Sequence, residues 1–267
     1  MRLNNKIALV IGAGQSQGEG TGNGRAVALR FAQEGAAVLA VDRDGGLAAA
    51  TAEIANTHGR GCLPFEADVT DERSVEKMIE FAVAQWGRID ILHYNVGISV
   101  SGRDASPEDI TESAFDTIMA VNLRGAVMCV KHVLPVMRRQ QDGVILTVAS
   151  VSAWQRYPWV AYKASKAALI AFTQQIAIEY AADGIRANTI LPGLMNTPMA
   201  VDTRARTFNR SRDDIVAERD ARVPLRKKMG TAWDVANAAL FLASDEAAFI
   251  TGVELPVDGG ALVNLPR

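Results

Sequence analysis

Three stretches of the chain, "RIDILHYNVG" (88–97), "DGVILTVAS" (142–150) and "GIRANTILPG" (184–193), are apolar almost without a break. A strand with one face in water alternates apolar and polar residues. A near-continuous run fits a strand covered on both faces, the situation in a parallel sheet flanked by helices. Shorter runs of the same kind open the chain: "KIALVIG", "AAVLAVD" and "GCLPFEADV". Between them lie helical patterns, from Gly24 to Glu34, from Gly45 to about His58, and in "DERSVEKMIEFAVAQWG", where Val75, Met78, Ile79, Ala82 and Val83 share one face. Further helices are expected near 110–141 and 160–182. The alternation implies an α/β fold, one open, doubly wound parallel sheet with helices on both faces.

The 267 residues suit one large domain better than two small ones, and no linker, repeat or low-complexity stretch divides them. Residues 198–228 interrupt the alternation and read as an inserted helical lid. The chain then returns to a helix, "TAWDVANAALFLAS", and a short last strand, "VELPVDGG". Lys plus Arg number 28 against 30 for Asp plus Glu, a net charge of −2 that gives no reason to expect a nucleic-acid partner. No signal peptide or long uncharged apolar segment is apparent, so no membrane partner is expected and the cytoplasm is the expected compartment. Cys62 and Cys129 lie in apolar runs and read as core residues rather than a disulfide. His58, His93 and His132 lack ligand spacing and read as structural, and no metal is expected.

The glycines of "KIALVIGAGQSQGEGTGNGRAVALRFAQEGAAV" admit two registers, since Gly14–Gly18–Gly20 and Gly18–Gly22–Gly24 both fit G-x-x-x-G-x-G. The flanks choose. The first strand stops at Gly12, where the apolar run ends, and the helix begins near Gly24, where Ala26, Val27, Leu29 and Phe31 start to recur. A dinucleotide fingerprint places glycines at the turn, at the pyrophosphate and at the helix–strand contact, and Gly12, Gly22 and Gly24 take those places with Asn23 between the last two. Gly12 and Gly24 are twelve positions apart, twice the span of the motif, so "QSQGEG" forms a six-residue excursion. Gly14, Gly18 and Gly20 are expected to keep it flexible and close to the phosphates. Asp42 ends the second strand, 18 positions beyond Gly24. An acidic residue about 20 positions on binds the adenosine ribose hydroxyls and repels a 2′-phosphate. Asp42 therefore favours NAD, although Arg43 beside it is compatible with NADP.

In "AYKASKAALIAF", Tyr162 and Lys166 stand four apart on one helical face. A neighbouring ammonium favours phenolate, so the pair can exchange a proton near neutrality. Ser150 leaves the preceding strand 12 residues earlier, where its hydroxyl can reach a carbonyl oxygen beside Tyr162. With these residues in place the chain resembles the short-chain dehydrogenase/reductase family over nearly its whole length. The resemblance rests on "GNGRAVALRFAQEGA", "ADV" (67–69), "VN" (121–122), Ser150, Tyr162-x-x-x-Lys166, "LPGLMNTP" and the terminal "VDGG".

The resemblance implies a Rossmann-like sheet of about seven strands, a homotetramer or dimer, and hydride transfer between a secondary alcohol and a nicotinamide cofactor. It implies that Tyr162 is the general acid/base, that Lys166 lowers its pKa and binds the nicotinamide ribose, that Ser150 orients the substrate oxygen, and that Asn122 holds a water of the proton relay. Asp68 and Val69 would contact adenine, Asn95 and Gly97 line the cofactor cleft, Pro192 and Gly193 bind the cofactor, and Met195 and Thr197 hold the carboxamide. Three departures from the family pattern stand out. The phosphate loop is longer, with Ile11 where Thr is common. "YNVG" places Tyr94 where the family usually has Asn. "VASVSA" leaves Ser152 as an alternative to Ser150.

The loop "WQRYPW" is expected to overhang the substrate, with Trp154, Arg156, Tyr157 and Trp159 shaping a pocket, or else to form an exposed aromatic loop or subunit contact. In the lid, Arg204, Arg206, Arg210, Arg212, Arg219 and Arg222 are offset by Asp202, Asp213, Asp214, Glu218 and Asp220. That balance favours a salt-bridged, solvated helix over an anion-binding lid. The expected function is an NAD-dependent dehydrogenase of a sugar, polyol or cyclic alcohol, the alternatives being a 3-oxoacyl-type carbonyl reductase and a non-catalytic nucleotide sensor.

Overall fold

A computed structural model describes residues 1–57 and 61–264; the expected structural role of His58 falls outside them. Seven strands form one sheet: β1 (Ile7–Ile11), β2 (Ala37–Asp42), β3 (Cys62–Glu66), β4 (Ile91–Tyr94), β5 (Gly143–Val148), β6 (Ile185–Pro192) and β7 (Glu254–Val257). All pairings are parallel and the order is β3-β2-β1-β4-β5-β6-β7. The winding reverses between β1 and β4, and ligands in such sheets bind at the carboxyl ends of the strands flanking that point. Helices α1 (Asn23–Gln33), α2 (Gly45–Asn56) and α9 (Ala232–Ala243) cover one face. Helices α3 (Glu72–Trp86), α5 (Gly125–Gln140) and α6 (Val160–Glu179) cover the other. β1, β4 and β5 are buried along their whole length, as their uninterrupted apolar character requires.

The expected helix near 110–141 is α4 (Glu112–Met119) running through a π turn, Ala120–Arg124, into α5. By length and composition this 29-residue run is apolar enough to cross a membrane, with a mean hydropathy of 1.3 in its most apolar window. In the fold, Ala126, Cys129, Val130, Val133, Leu134 and Met137 bury that apolar face in the core over the sheet. Both cysteines are free and buried, and burial pushes each thiol up to about 12. His93 is fully buried edge-on to Phe31 and burial lowers its pKa to about 3, so it is a neutral core residue. The Nε2 of His132 meets Glu72 at 3.0 Å on the surface.

α1 stands on the end of β1 with no room for a methyl group between them. A Cβ on Gly24 would lie 1.9 Å from the carbonyl oxygen of Gly12, and Gly12 itself has φ +80°. Both glycines are therefore required by geometry. Gly24→Ala must push α1 off the sheet, and a loss of about 2 kcal/mol or more is expected. A urea midpoint within error of the wild type would contradict this packing.

Candidate active site

The residues expected from sequence to hold a cofactor, and Ser150, expected to orient the substrate, fall at the carboxyl ends of successive strands: Gly12 after β1, Asp42 at the end of β2, Asp68 and Val69 after β3, Asn95 and Gly97 after β4, Ser150 after β5, and Pro192 and Gly193 at the end of β6. The first turn of α1 has no side-chain cap and no acidic residue, so the backbone N–H groups after Gly22 face outward unpaired by the chain. The Oδ1 of Asn23 is buried without a partner. Open N–H groups at a helix start, with glycine on both sides of the turn, suit a dinucleotide pyrophosphate. Asn95 Nδ2 donates to the Gly12 carbonyl at 3.2 Å and fixes the turn from below. Asp42 Oδ2 accepts the Gly14 N–H at 3.0 Å, which leaves further lone pairs for hydroxyl donors, while Arg43 is exposed. Asp68 is exposed and Val69 buried. Met195 bridges to Gly230, Thr197 is buried, and Gly193 passes so close to Asp258 that a Cβ would lie 2.7 Å from its Cα. This set fits a nicotinamide dinucleotide.

The excursion 15–20 is not the free bulge expected from its glycines. Gln15 clasps its two ends, donating to Gly20 O at 2.9 Å and accepting from Gly22 N at 3.1 Å. Its tip docks on the lid, which consists of α7 (Asp202–Phe208) and α8 (Arg212–Arg222). Glu19 N donates to Asp202 Oδ1 at 3.3 Å, Arg206 Nη1 to Gln17 O at 3.0 Å, and Arg212 lies 3.5 Å from Glu19 and 3.4 Å from Asp202. A Cβ on Gly18 would fall 2.4 Å from Asp202 Cγ, so that glycine serves close approach to the lid. Composition could not reveal this contact, because its partners are about 190 residues apart in sequence.

Tyr162 and Lys166 lie one turn apart at the start of α6, with the Lys166 ammonium 5.7 Å from the Tyr162 ring centre. Trp159 provides no side-chain cap for that helix. Asp104 caps it from a distant loop, accepting the N–H groups of Ala161 at 3.0 Å and Tyr162 at 2.8 Å. Sequence reasoning missed Asp104; the missing Ser, Thr, Asp or Asn before "VAYK" was the available signal. Lys163, also missed, donates to the carbonyls of Ser152, Ala153 and Gln155 and pins the overhanging loop. Lys166 is buried and donates to Val148 O at 2.7 Å and Val96 O at 3.4 Å. Gly97 makes room for it, since a Cβ there would lie 2.9 Å from the ammonium.

Asn122 sits in the π turn, fully buried. Its Oδ1 accepts Ile98 N at 2.8 Å, and its Nδ2 donates to Ile98 O and Ser165 Oγ, each at 3.0 Å. Both amide protons are used, so the side chain positions the β4 loop against α6. Tyr94 takes over bracing from this side: its buried hydroxyl donates to Val121 O beside Asn122. It occupies the space that makes Gly125 a glycine.

Burial dominates the titration of both reactive groups. It raises the Tyr162 phenol to about 12, assisted by Tyr157 and opposed by hydrogen bonding to Ser150 and by Arg204 and Arg219. It lowers Lys166 to about 7. The expected depression of the phenol by Lys166 does not appear: loss of solvation raises the phenol, and the groups that lower it are Ser150, Arg204 and Arg219. Ser150 is the hydroxyl that interacts with Tyr162, whereas Ser152 Oγ is buried with no hydrogen-bond partner. In the overhanging loop, the Tyr157 ring lies 5.5 Å from that of Tyr162. Trp154 donates to Glu254 at 2.7 Å and, like Arg156, is exposed, the arrangement of the exposed-loop alternative that the sequence left open. Trp159 stacks on Phe208 of the lid.

A family model described as enoyl-(acyl carrier protein) reductase matches residues 18–261. The chain is 38% identical to 2-(R)-hydroxypropyl-CoM dehydrogenase of Xanthobacter autotrophicus, over 95% of this chain and 97% of that one. It is 35% identical to the 3-oxoacyl-[acyl-carrier-protein] reductase FabG of Thermotoga maritima, over 98% and 100%. The crystal structure of a short-chain dehydrogenase/reductase from Burkholderia xenovorans superimposes with a TM-score of 0.92 at 44% identity, covering 99% of each chain. The chain belongs to the short-chain dehydrogenase/reductase family. It is an oxidoreductase of the class that uses a nicotinamide cofactor, NAD or NADP.

The buried Lys166 makes stability depend on pH. The unfolded chain holds this proton up to about 10.5 and the folded chain releases it near 7, so between those values the unfolded state binds more protons and stability rises with pH. The penalty is complete below pH 7 and fades toward 10.5. In cofactor-free protein, Lys166→Met should therefore raise the urea midpoint more at pH 6.5 than at pH 9.5. An equal change at both values would refute the shift.

Proposed function

We propose that the protein is an NAD-dependent dehydrogenase of a secondary alcohol, with Tyr162 as general acid/base. The observation that carries this is the grouping of Ser150, Tyr162 and Lys166 at the carboxyl end of β5 and the amino-terminal start of α6, across the switch point from the uncapped start of α1. A bound nicotinamide cofactor supplies hydride exchange with the carbinol carbon. The chain supplies everything else. Ser150 orients the substrate oxygen by hydrogen bonding, and Tyr162 exchanges the hydroxyl proton at its phenolic oxygen. Lys166, held by Val148 and Val96, places a titrating ammonium beneath the ring. Asn122, through Ile98 and Ser165, keeps the β4 loop and α6 in register. NAD is favoured by the Asp42 carboxylate, whose fixed negative charge at the end of β2 opposes a 2′-phosphate.

One observation favours a second reading, carbonyl reduction. A phenol raised to about 12 is protonated at neutral pH and ready to donate. Alcohol oxidation needs its conjugate base, so oxidation should rise steadily from pH 7 to pH 10 while ketone reduction stays nearly flat. Identical profiles in both directions would count against Tyr162 as the proton-exchanging group.

Two substitutions test the assignments. Tyr162→Phe should retain cofactor affinity and lose turnover by about 10³-fold or more; near-normal turnover would remove Tyr162 from the mechanism. Asp42→Ala should narrow the preference for NAD over NADP, measured as the ratio of kcat/KM values, and an unchanged ratio would mean that the ribose contact lies elsewhere. We also propose a homodimer or homotetramer, built on the outward face of α6 where Ala164, Ala171, Gln175 and Ile178 are exposed. Light scattering at micromolar concentration measures it directly.

A further inference from the structure

Charge balance over the lid sequence does not survive folding. Arg210 pairs with Glu218 at 2.7 Å, and Arg212 with Glu19 and Asp202. Asp220 accepts the Met229 N–H at 2.7 Å, and Asp213 and Asp214 lie exposed. That leaves Arg204 and Arg219 on the inner side with no carboxylate within 4.0 Å among the described residues. Arg219 is only 9% exposed; its Nε has Met229 Sδ at 3.3 Å, a weak acceptor, and its terminal amino groups have no hydrogen-bond partner among the described residues. Arg204 is half-buried, donating to Ala200 O at 2.9 Å and to the Tyr157 hydroxyl at 3.5 Å, with its guanidinium 5.6 Å over the Trp159 ring.

Arg204 reaches the hydroxyl of Tyr157, whose ring lies 5.5 Å from Tyr162 and whose hydroxyl lies 3.4 Å from Ser99, and Arg219 lies near enough to act electrostatically on both phenols. Each pulls the phenols of Tyr157 and Tyr162 downward; burial, then Arg204 and Arg222, lower Arg219 to about 10, opposed by Tyr157 and Glu218. Two neighbouring like charges, one of them buried, are unfavourable until an anion joins them. Guanidinium groups present planar donor pairs that match an oxyanion. The lid arginines that hold the tip of the glycine-rich loop are Arg206 and Arg212, which leaves Arg204 and Arg219 free of that contact.

Resting on the dehydrogenase reading above, we propose that Arg204 and Arg219 form the anion-recognising end of the substrate pocket. The substrate is then a hydroxy or keto compound bearing an oxyanion, whether carboxylate, sulfonate or phosphate, on the far side of Tyr157 from the reacting carbon. The lid selects acidic substrates, and Tyr157 and Trp159 form the apolar walls between the charge and the chemistry.

The test compares kcat/KM for chain-matched secondary alcohols and ketones ending in carboxylate, sulfonate, phosphate or a neutral methyl ester. Wild-type protein should prefer one acidic series by tenfold or more over the ester, and the preferred series names the oxyanion. In Arg204→Met and Arg219→Met the acid-to-ester ratio should fall about 10- to 100-fold, the loss of a charge-assisted pair. Arg219→Lys should recover part of it, and Arg210→Met, which removes only a surface ion pair, should leave it unchanged. Reduced-cofactor fluorescence measures cofactor affinity in every variant. Should Arg219→Met fail to fold, competition decides: malonate should compete with substrate and not with cofactor in wild-type protein, and no competition overturns the proposal. Turnover of neutral compounds alone, or an unchanged ratio in the variants, overturns the anion site and leaves the dehydrogenase reading standing. Absence of turnover with every compound, in protein that binds reduced cofactor, overturns both.

Discussion

The contact between Gly24 and the Gly12 carbonyl is the constraint on which the site depends. It seats α1 directly on the end of β1, at the point where the sheet reverses its winding. Only there do the free N–H groups of the helix face the same crevice as the ends of β4 and β5. Asn95 secures the turn from β4 and Asp42 secures it from β2, so one loop is tied to both neighbouring strands. A methyl group at Gly24 would disturb all of these relations together.

The catalytic helix is set by a different device. α6 lacks a cap of its own and takes Asp104 from a loop 58 positions earlier, while Lys166 reaches two strand-end carbonyls through its buried stem. Helix start and helix interior are thus both fixed from outside the helix, and Tyr162 lies between the two anchors. The same burial that fixes the geometry raises the phenol and lowers the ammonium. Position and reactivity have one cause, the removal of water from the crevice.

The lid joins two parts of the chain that the sequence keeps far apart. Asp202, Arg206 and Arg212 hold the tip of the long phosphate loop, and Arg204 and Arg219 turn toward Tyr157 and Tyr162. Within a segment of nearly equal numbers of acids and bases, folding pairs Arg210 and Arg212 with carboxylates and leaves Arg204 and Arg219 with none within 4.0 Å among the described residues. The unbalanced part is the part nearest the chemistry, where binding a charged substrate would restore neutrality.

Periodicity determined the fold class, because apolar runs alternating with helical stretches imply a parallel sheet covered on both sides, while the count of about seven strands came from the family resemblance. Local spacing also determined the glycine register and the Tyr162–Lys166 pair, since both are set within a few turns of one helix. What lay beyond the sequence were the relations that depend on distant residues meeting. Asp104 under Tyr162, Asp202 against Gly18 and Trp154 turned to Glu254 each join segments that no local pattern links. Composition counts charges, but only the tertiary structure decides which of them have partners, because pairing depends on distance in space and burial on the whole fold.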